Sequence, residues 1–211
     1  MRLDSGMQWS AIVPVKASTS AKSRLETNAA WRTELSRAFL SDALHALVGS
    51  SQIQRIIVVT DDTGLQGQLD PSIELNFVAS AGLNEDITSG IDLVSHTPVA
   101  VITGDLPCLT SAAIDSVLQL AGEHQRSFVS DAQGLGTTML LSQDPKNCQP
   151  MFGFRSHAKH AQAGYHELTS DDLDINALLI RARRDVDTAI DLWDARRIGV
   201  GASTSALLDD L

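Results

Sequence analysis

Five short apolar runs punctuate the chain, and each ends against polar residues. They are Trp9 to Val15 (WSAIVPV), Arg55 to Thr60 (RIIVVT), Ile73 to Ala79 (IELNFVA), Pro98 to Thr103 (PVAVIT) and Arg126 to Ser130 (RSFVS). They are rich in Val and Ile and do not alternate with polar residues, as strands covered on both faces of a largely parallel sheet do. Helical spacing falls between them. Leu35, Phe39, Leu40, Ala43, Leu44 and Leu47 mark a helix within Ala29 to Val48. Asn84 to Val94 is a weaker candidate. Ser111 to Ala121 begins after the N-cap residue Thr110 and ends at Gly122. His157 to Tyr165 and Ile175 to Ala182 predict two shorter helices, and a capped helix over Ala189 to Ala195 is a further option. Alternating strands and helices predict an α/β fold, Rossmann-like, with a mostly parallel central sheet flanked by helices.

The length of 211 residues suits one domain. We expect a leader over residues 1–8, with Met1 or Met7 as the start, one domain over 9–198, and a Gly-, Ser-, Ala- and Asp-rich tail over 199–211 that frays. The net charge of −10 argues against nucleic acid as a partner, because that affinity comes mostly from cations neutralising phosphates. No apolar stretch is long enough to predict a membrane span. Cys108 and Cys148 form no metal-type pair, so a reducing, cytoplasmic setting is expected.

In open parallel sheets, ligands bind beyond the carboxyl ends of the strands, so the polar residues after each run are the candidates. After the first run come Pro14, Val15 and Lys16, then a small-residue loop with Lys22 and Arg24. Three cations within nine positions can neutralise a polyphosphate, or can simply decorate a solvated loop. After the fourth run, Gly104-Asp105-Leu106-Pro107 puts a carboxylate where it can hold Mg2+ or cap a turn. Asp185 and Asp187 share a face if their segment is extended; with Asp105 they would make an all-oxygen set, and alternatively Asp187 or Thr188 caps the helix after them. Gly134-Leu135-Gly136-Thr137-Thr138 reads as an anion-binding loop or a hairpin turn. Phe152 to His157 adds Gly153, Arg155 and Ser156. Gly82-Leu83-Asn84 precedes a helix, where Asn84 can meet a base, a sugar or its own backbone.

In this order the pieces VPVK (13–16), AKSRL (21–25), GLN (82–84), GDLP (104–107), GLGTT (134–138), FG-x-x-S-x-x-x-H (152–160) and DVDT-x-x-DL (185–192) resemble the 2-phospho-L-lactate guanylyltransferases. That family includes the phosphoenolpyruvate guanylyltransferases of coenzyme F-420 biosynthesis. The resemblance spans Trp9 to Trp193 and implies a single nucleotidyltransferase domain, of the nucleotide-diphospho-sugar transferase type and similar to the molybdenum-cofactor guanylyltransferases. It implies GTP and Mg2+ as reactants and a phosphorylated three-carbon acid as acceptor: phosphoenolpyruvate, 2-phospho-L-lactate or 3-phosphoglycerate. By position, Thr138, Gly153 and Ser156 match its acceptor-binding residues and Asp105, Asp185 and Asp187 its metal-binding carboxylates. Lys16, Lys22 and Arg24 match its triphosphate loop, and Pro14, Gly82, Asn84 and Gly104 fall with the nucleotide. Two departures stand out: Leu135 replaces a hydroxyl residue common in the glycine loop, and residues 166–185 form a long acidic stretch with Asp171, Asp172 and Asp174.

The expected reaction is in-line attack of an acceptor phosphate oxygen on the α-phosphorus of GTP, with pyrophosphate leaving. Positioning and charge neutralisation then carry catalysis. The competing readings are a nucleotidyltransferase for another acceptor (a molybdopterin, a sugar or an isoprenoid phosphate), a non-catalytic GTP-binding regulator, and an interaction scaffold. Trp31 or Trp193 could support a homodimer.

Overall fold

The computed structural model describes residues 7–16, 29–79 and 81–209. The strands are β1 (Trp9–Val15), β2 (Ile53–Thr60), β3 (Ile73–Phe77), β4 (Val99–Ile102), β5 (Arg126–Ser130), β6 (Thr137–Ser142) and β7 (His166–Glu167). The helices are α1 (Ala29–Val48), α2 (Leu83–Ile91), α3 (Ser111–Ala121), α4 (Ser156–Gln162), α5 (Leu173–Arg183), α6 (Ala189–Ile198) and α7 (Ala202–Asp209). One sheet runs in the order β3-β2-β1-β4-β6-β5-β7. β1 pairs in parallel with β2 and β4, β2 with β3, and β5 with β7, while β6 is antiparallel to both β4 and β5.

The unalternating apolar runs have a direct cause. Along β1, Ala11 and Val13 pack into one core with α1 and α3, through Leu40, Leu44, Ile114 and Leu118. Ile12, between them, packs into a second core with Ile87 and Ile91 of α2. Both faces of the strand are covered, so every position pays to be apolar. Helix α2 lies very close to the sheet at Gly90, where a Cβ would sit 2.6 Å from Val59 Cγ2 and 2.9 Å from Ile12 Cγ2.

Two features differ from expectation. Thr137 and Thr138, read as part of a loop, open strand β6, all six residues of which are buried. The segment expected to fray instead forms α7 over most of its length. The buried carboxylate of Asp42, on α1, accepts the Ser203 N–H at 2.8 Å and the Thr204 N–H at 3.0 Å, satisfying donors that a helix start leaves unpaired. A Cβ at Gly201 would strike that carboxylate, so glycine is required there. Leu208 then joins a third core with Leu35, Phe39, Cys108 and Val186. Residues 1–6 of the expected leader lie outside the described residues. Trp31 packs against the third core, whereas Trp193 is exposed beneath the Arg197 guanidinium, 4.7 Å from its ring centre.

Asp42→Ala should cost about 2 kcal/mol, the scale of stranding buried donors. Urea unfolding measures the loss, and amide exchange should quicken first over residues 202–209.

Candidate functional site

The carboxyl ends of β1 and β4 leave the sheet side by side and frame a cavity of about 230 Å³. Pro14 to Lys16 and Thr103 to Asp105 supply two walls, Ser36 and Leu40 of α1 a third, and Leu83 of α2 the fourth. Gly104 fits here because a Cβ would come 3.1 Å from Leu40 Cδ1. Lys16 Nζ lies 4.0 Å from Asp86 Oδ2 in the first turn of α2, and Asp86 also accepts the Ala81 N–H. Lys22 and Arg24 lie outside the described residues. Two hydroxyls in the walls, Ser36 Oγ and Thr103 Oγ1, are enclosed and meet no hydrogen-bond partner among the described residues. Enclosed polar atoms of this kind cost free energy until something polar fills the space. Sequence reasoning missed both, because nothing in a lone Ser on a helix or a lone Thr at a strand end marks them. A larger hollow of about 280 Å³ lies between α1 and residues 64–73. It is lined mainly by Leu40, Leu44, Leu65 and Leu69, and holds neither Lys16 nor Asp105.

A hydrogen-bonded chain leads from this cavity to Ala182, three residues before the acidic pair begins. Thr103 N–H donates to Thr138 O at 3.0 Å, and Thr138 Oγ1 donates to Ala182 O near the end of α5 at 2.8 Å. Three residues later comes Asp185, and Val186 is buried against Leu35 and Phe39 of α1, the helix that also carries Ser36. Thr188, not Asp187, caps α6, in a reciprocal box with Asp191. The Asp187 N–H also reaches Asp191, at 3.2 Å. Arg184 braces the segment through Asp191 and Asp194. Thr138, expected to contact the acceptor, is buried, and its hydroxyl donates to Ala182 O, which braces the start of β6 against the end of α5. Among the described residues no three His, Cys, Asp or Glu side chains form a ready-made metal cluster. The donors nevertheless suit Mg2+, which is usually held by one or two carboxylates with substrate phosphates completing its shell.

The two loops on the other flank are built by side chains that bond to backbone. Asp131 accepts the N–H groups of Leu135 at 2.8 Å and Gly136 at 2.7 Å, closing the glycine turn, where Gly134 takes φ +70°. Leu135 O then accepts the His157 N–H of α4 at 3.3 Å. Gly153 has φ +103°, which an L side chain rarely adopts, and its carbonyl accepts the N–H of buried Ser156 at 3.0 Å. Asn84, expected to meet a base, a sugar or its own backbone, engages Phe152 with both polar atoms: Oδ1 accepts its N–H at 2.8 Å and Nδ2 donates to its carbonyl at 3.2 Å. His157 Nε2 pairs with Glu167 Oε2 at 3.0 Å, and Ser130 Oγ donates to Glu167 Oε1 at 2.7 Å. Burial alone would raise the Glu167 carboxyl; Ser130, His157 and the charge of Arg183 together hold it below its ordinary value. Glu167 sits in a two-residue strand, too short for any periodicity to reveal. The acidic stretch is partly a capping device, since Asp172 accepts the N–H groups of Asp174 and Ile175 at the start of α5.

His160 is fully buried and neutral. Its Nε2 accepts the Met151 N–H at 3.1 Å, so Nδ1 carries the proton toward Thr137 Oγ1 at 2.8 Å. Burial, reinforced by Lys159 and His157, holds it down to about 4. Because the folded value lies below the ordinary one near 6.5, the stability it confers is complete above about pH 6.5 and fades as pH falls toward 4, by up to about 3 kcal/mol. Urea midpoints between pH 7 and 4.5 should show this loss, and His160→Gln should flatten it.

The family model described as "Guanylyl transferase CofC like" matches residues 9–206. A protein of Streptomyces coelicolor named phosphoenolpyruvate guanylyltransferase is 37% identical over 210 residues, covering 95% of this chain and 96% of that one. One of the same name from Thermomonospora curvata is 34% identical, covering 97% and 90%. Among solved structures, a protein described as a nucleotide-diphospho-sugar transferase from Desulfovibrio desulfuricans G20 superposes with a TM-score of 0.72 at 18% identity, covering 97% and 95%. A Mycobacterium tuberculosis protein solved in complex with manganese gives a TM-score of 0.55 at 18% identity, covering 91% and 98%. These two establish the fold, a nucleotide-diphospho-sugar transferase-like α/β sheet. With its family model matched from the first strand into the last helix, the chain belongs to the guanylyl transferase CofC-like family.

Proposed function

We propose that the protein transfers the guanylyl group of GTP to the phosphate of phosphoenolpyruvate, releasing pyrophosphate, as a step of coenzyme F-420 biosynthesis. The acceptor follows the names of the relatives from Streptomyces coelicolor and Thermomonospora curvata. The observation that carries the reading is the cavity at the ends of β1 and β4, where Lys16, Asp105 and two enclosed hydroxyls meet. A polar, anionic occupant would suit the Lys16 cation and the two hydroxyls.

Lys16, with Lys22 and Arg24, neutralises the triphosphate and the departing pyrophosphate. The backbone of Pro14, Gly82 and Gly104 lines the nucleotide. Gly153 and Ser156 hold the acid, with Thr138 bracing the sheet between the two substrates. An acceptor phosphate oxygen forms the new bond to the α-phosphorus, and the bond from that phosphorus to the β-phosphate bridging oxygen breaks. A phosphate dianion is already a nucleophile at neutral pH, so no side chain has to remove a proton. Asp105, with one carboxylate of the Asp185 and Asp187 pair, would hold Mg2+, which, when bound with GTP, supplies Lewis-acid polarisation of the phosphates. The buried free thiols Cys108 and Cys148, each pushed up to about 12 chiefly by burial, take no part and suit a reducing cytoplasm.

Purified protein given GTP and Mg2+ with phosphoenolpyruvate, 2-phospho-L-lactate or 3-phosphoglycerate in separate reactions should release pyrophosphate fastest with the first. Mass spectrometry should find a guanylylated acid. Asp105→Asn should lower kcat by about 100-fold or more, the scale of losing one preorganised electrostatic group, with little change in urea midpoint. Wild-type turnover in that variant would remove Asp105 from the site.

A further inference from the structure

The first turn of α2 serves two sides of the site at once. Leu83 walls the cavity that holds Lys16 and Asp105, and Asp86 lies 4.0 Å from Lys16 Nζ. Between them, Asn84 turns its amide to a segment 68 positions away and takes both backbone groups of Phe152. The arrangement copies one rung of a β-ladder with a side-chain amide in place of a second strand. Residue 152 belongs to none of the strands, so it draws these bonds from a side chain. The N–H of its neighbour Met151 likewise goes to a side chain, the ring of His160. Phe152 is buried beside Ile87 and Ile91 of the same helix, which fixes its distance from α2. The next residue is Gly153 at φ +103°, followed by exposed Phe154, left-handed Arg155 and buried Ser156. Residues 152–156 therefore have little regular backbone pairing of their own, and their placement relative to the nucleotide end is set by the Asn84 amide together with the burial of Phe152.

We infer that Asn84 is a positioning residue for the acceptor: it anchors the loop carrying Gly153 and Ser156 to the helix turn that faces the nucleotide, and so sets the distance between the two substrates. The inference rests on the proposed assignment of Gly153 and Ser156 to the acid. It gives Asn84 a role distinct from direct contact with the base or ribose. Only an amide of this length does both jobs. Asp keeps an oxygen for the Phe152 N–H but sets a second oxygen against its carbonyl, and Ala keeps neither bond.

The test uses Asn84→Ala and Asn84→Asp in the full chain. Steady-state kinetics should show the KM for phosphoenolpyruvate rising about tenfold or more in Asn84→Ala, as displacement of a positioned reactant does. The rise should be smaller in Asn84→Asp, with the KM for GTP held within about twofold in both. Hydrogen exchange, which needs no turnover, should quicken at residues 151–156 in both variants while residues 87–91 of α2 stay protected. A raised KM for GTP with an unchanged KM for the acid would overturn the inference and make Asn84 a nucleotide contact. Unchanged exchange at residues 151–156 would overturn it too. If wild-type protein releases no pyrophosphate from GTP and any of the three acids, the functional reading falls, and the exchange data still decide whether Asn84 holds the loop.

Discussion

Ile12 of β1 lies opposite Val101 of β4 in a parallel register, with Ser10 opposite Val99 and Ala11 opposite Ala100. Two strands paired this way release their chains at the same end of the sheet. Lys16 and Asp105 therefore emerge on one cavity although 89 positions separate them in the sequence, the difference between their residue numbers. Everything proposed for the chemistry depends on that register. An antiparallel pairing would send the basic loop and the carboxylate to opposite ends. Burial on both faces enforces the register, because a slip by one residue would exchange the side chains assigned to the two cores.

The strand that runs against this pattern extends the site sideways. β6 pairs antiparallel with β4, so its first residues, not its last, reach the active end of the sheet. Thr138 then bonds outward to Ala182 and fixes where α5 hands the chain on to Asp185 and Asp187. On the opposite flank α2 makes the corresponding tie to Phe152. Two polar surfaces are thus hung on one end of the sheet by single side chains: the acidic pair by Thr138 and the 152–156 loop by Asn84. Each tie satisfies backbone or hydroxyl groups that would otherwise be stranded, so positioning of the site and stability of the fold share the same bonds.

Much of the frame was legible in sequence because burial on two faces leaves long Val- and Ile-rich runs, and because strand ends mark where ligands go in such sheets. Lys16 and Asp105 were found by that rule alone. β6 was missed because TTMLLS follows a glycine turn and its threonines look like loop residues; their burial comes from strands on either side, which local pattern does not reveal. The terminal helix was missed for a related reason. Its composition is that of a fraying tail, and what holds it is Asp42, more than 150 positions earlier. The tie from Asn84 to Phe152 was not legible, since Phe152 reaches it only through the fold. Ser36 and Thr103 are ordinary residues whose interest lies in being enclosed together.

The account stands on transfer of the α-phosphoryl unit of GTP within the β1–β4 cavity. The most direct measurement follows label from two separately prepared substrates, GTP carrying radioactive phosphorus at the α position and GTP carrying it at the γ position, in the presence of phosphoenolpyruvate and Mg2+. The account requires the α label to appear in the guanylylated acid and the γ label in pyrophosphate, in equal amounts. Appearance of the γ label in inorganic phosphate or in the acid, with the α label remaining in GDP, would mean a hydrolase or a kinase and would contradict it.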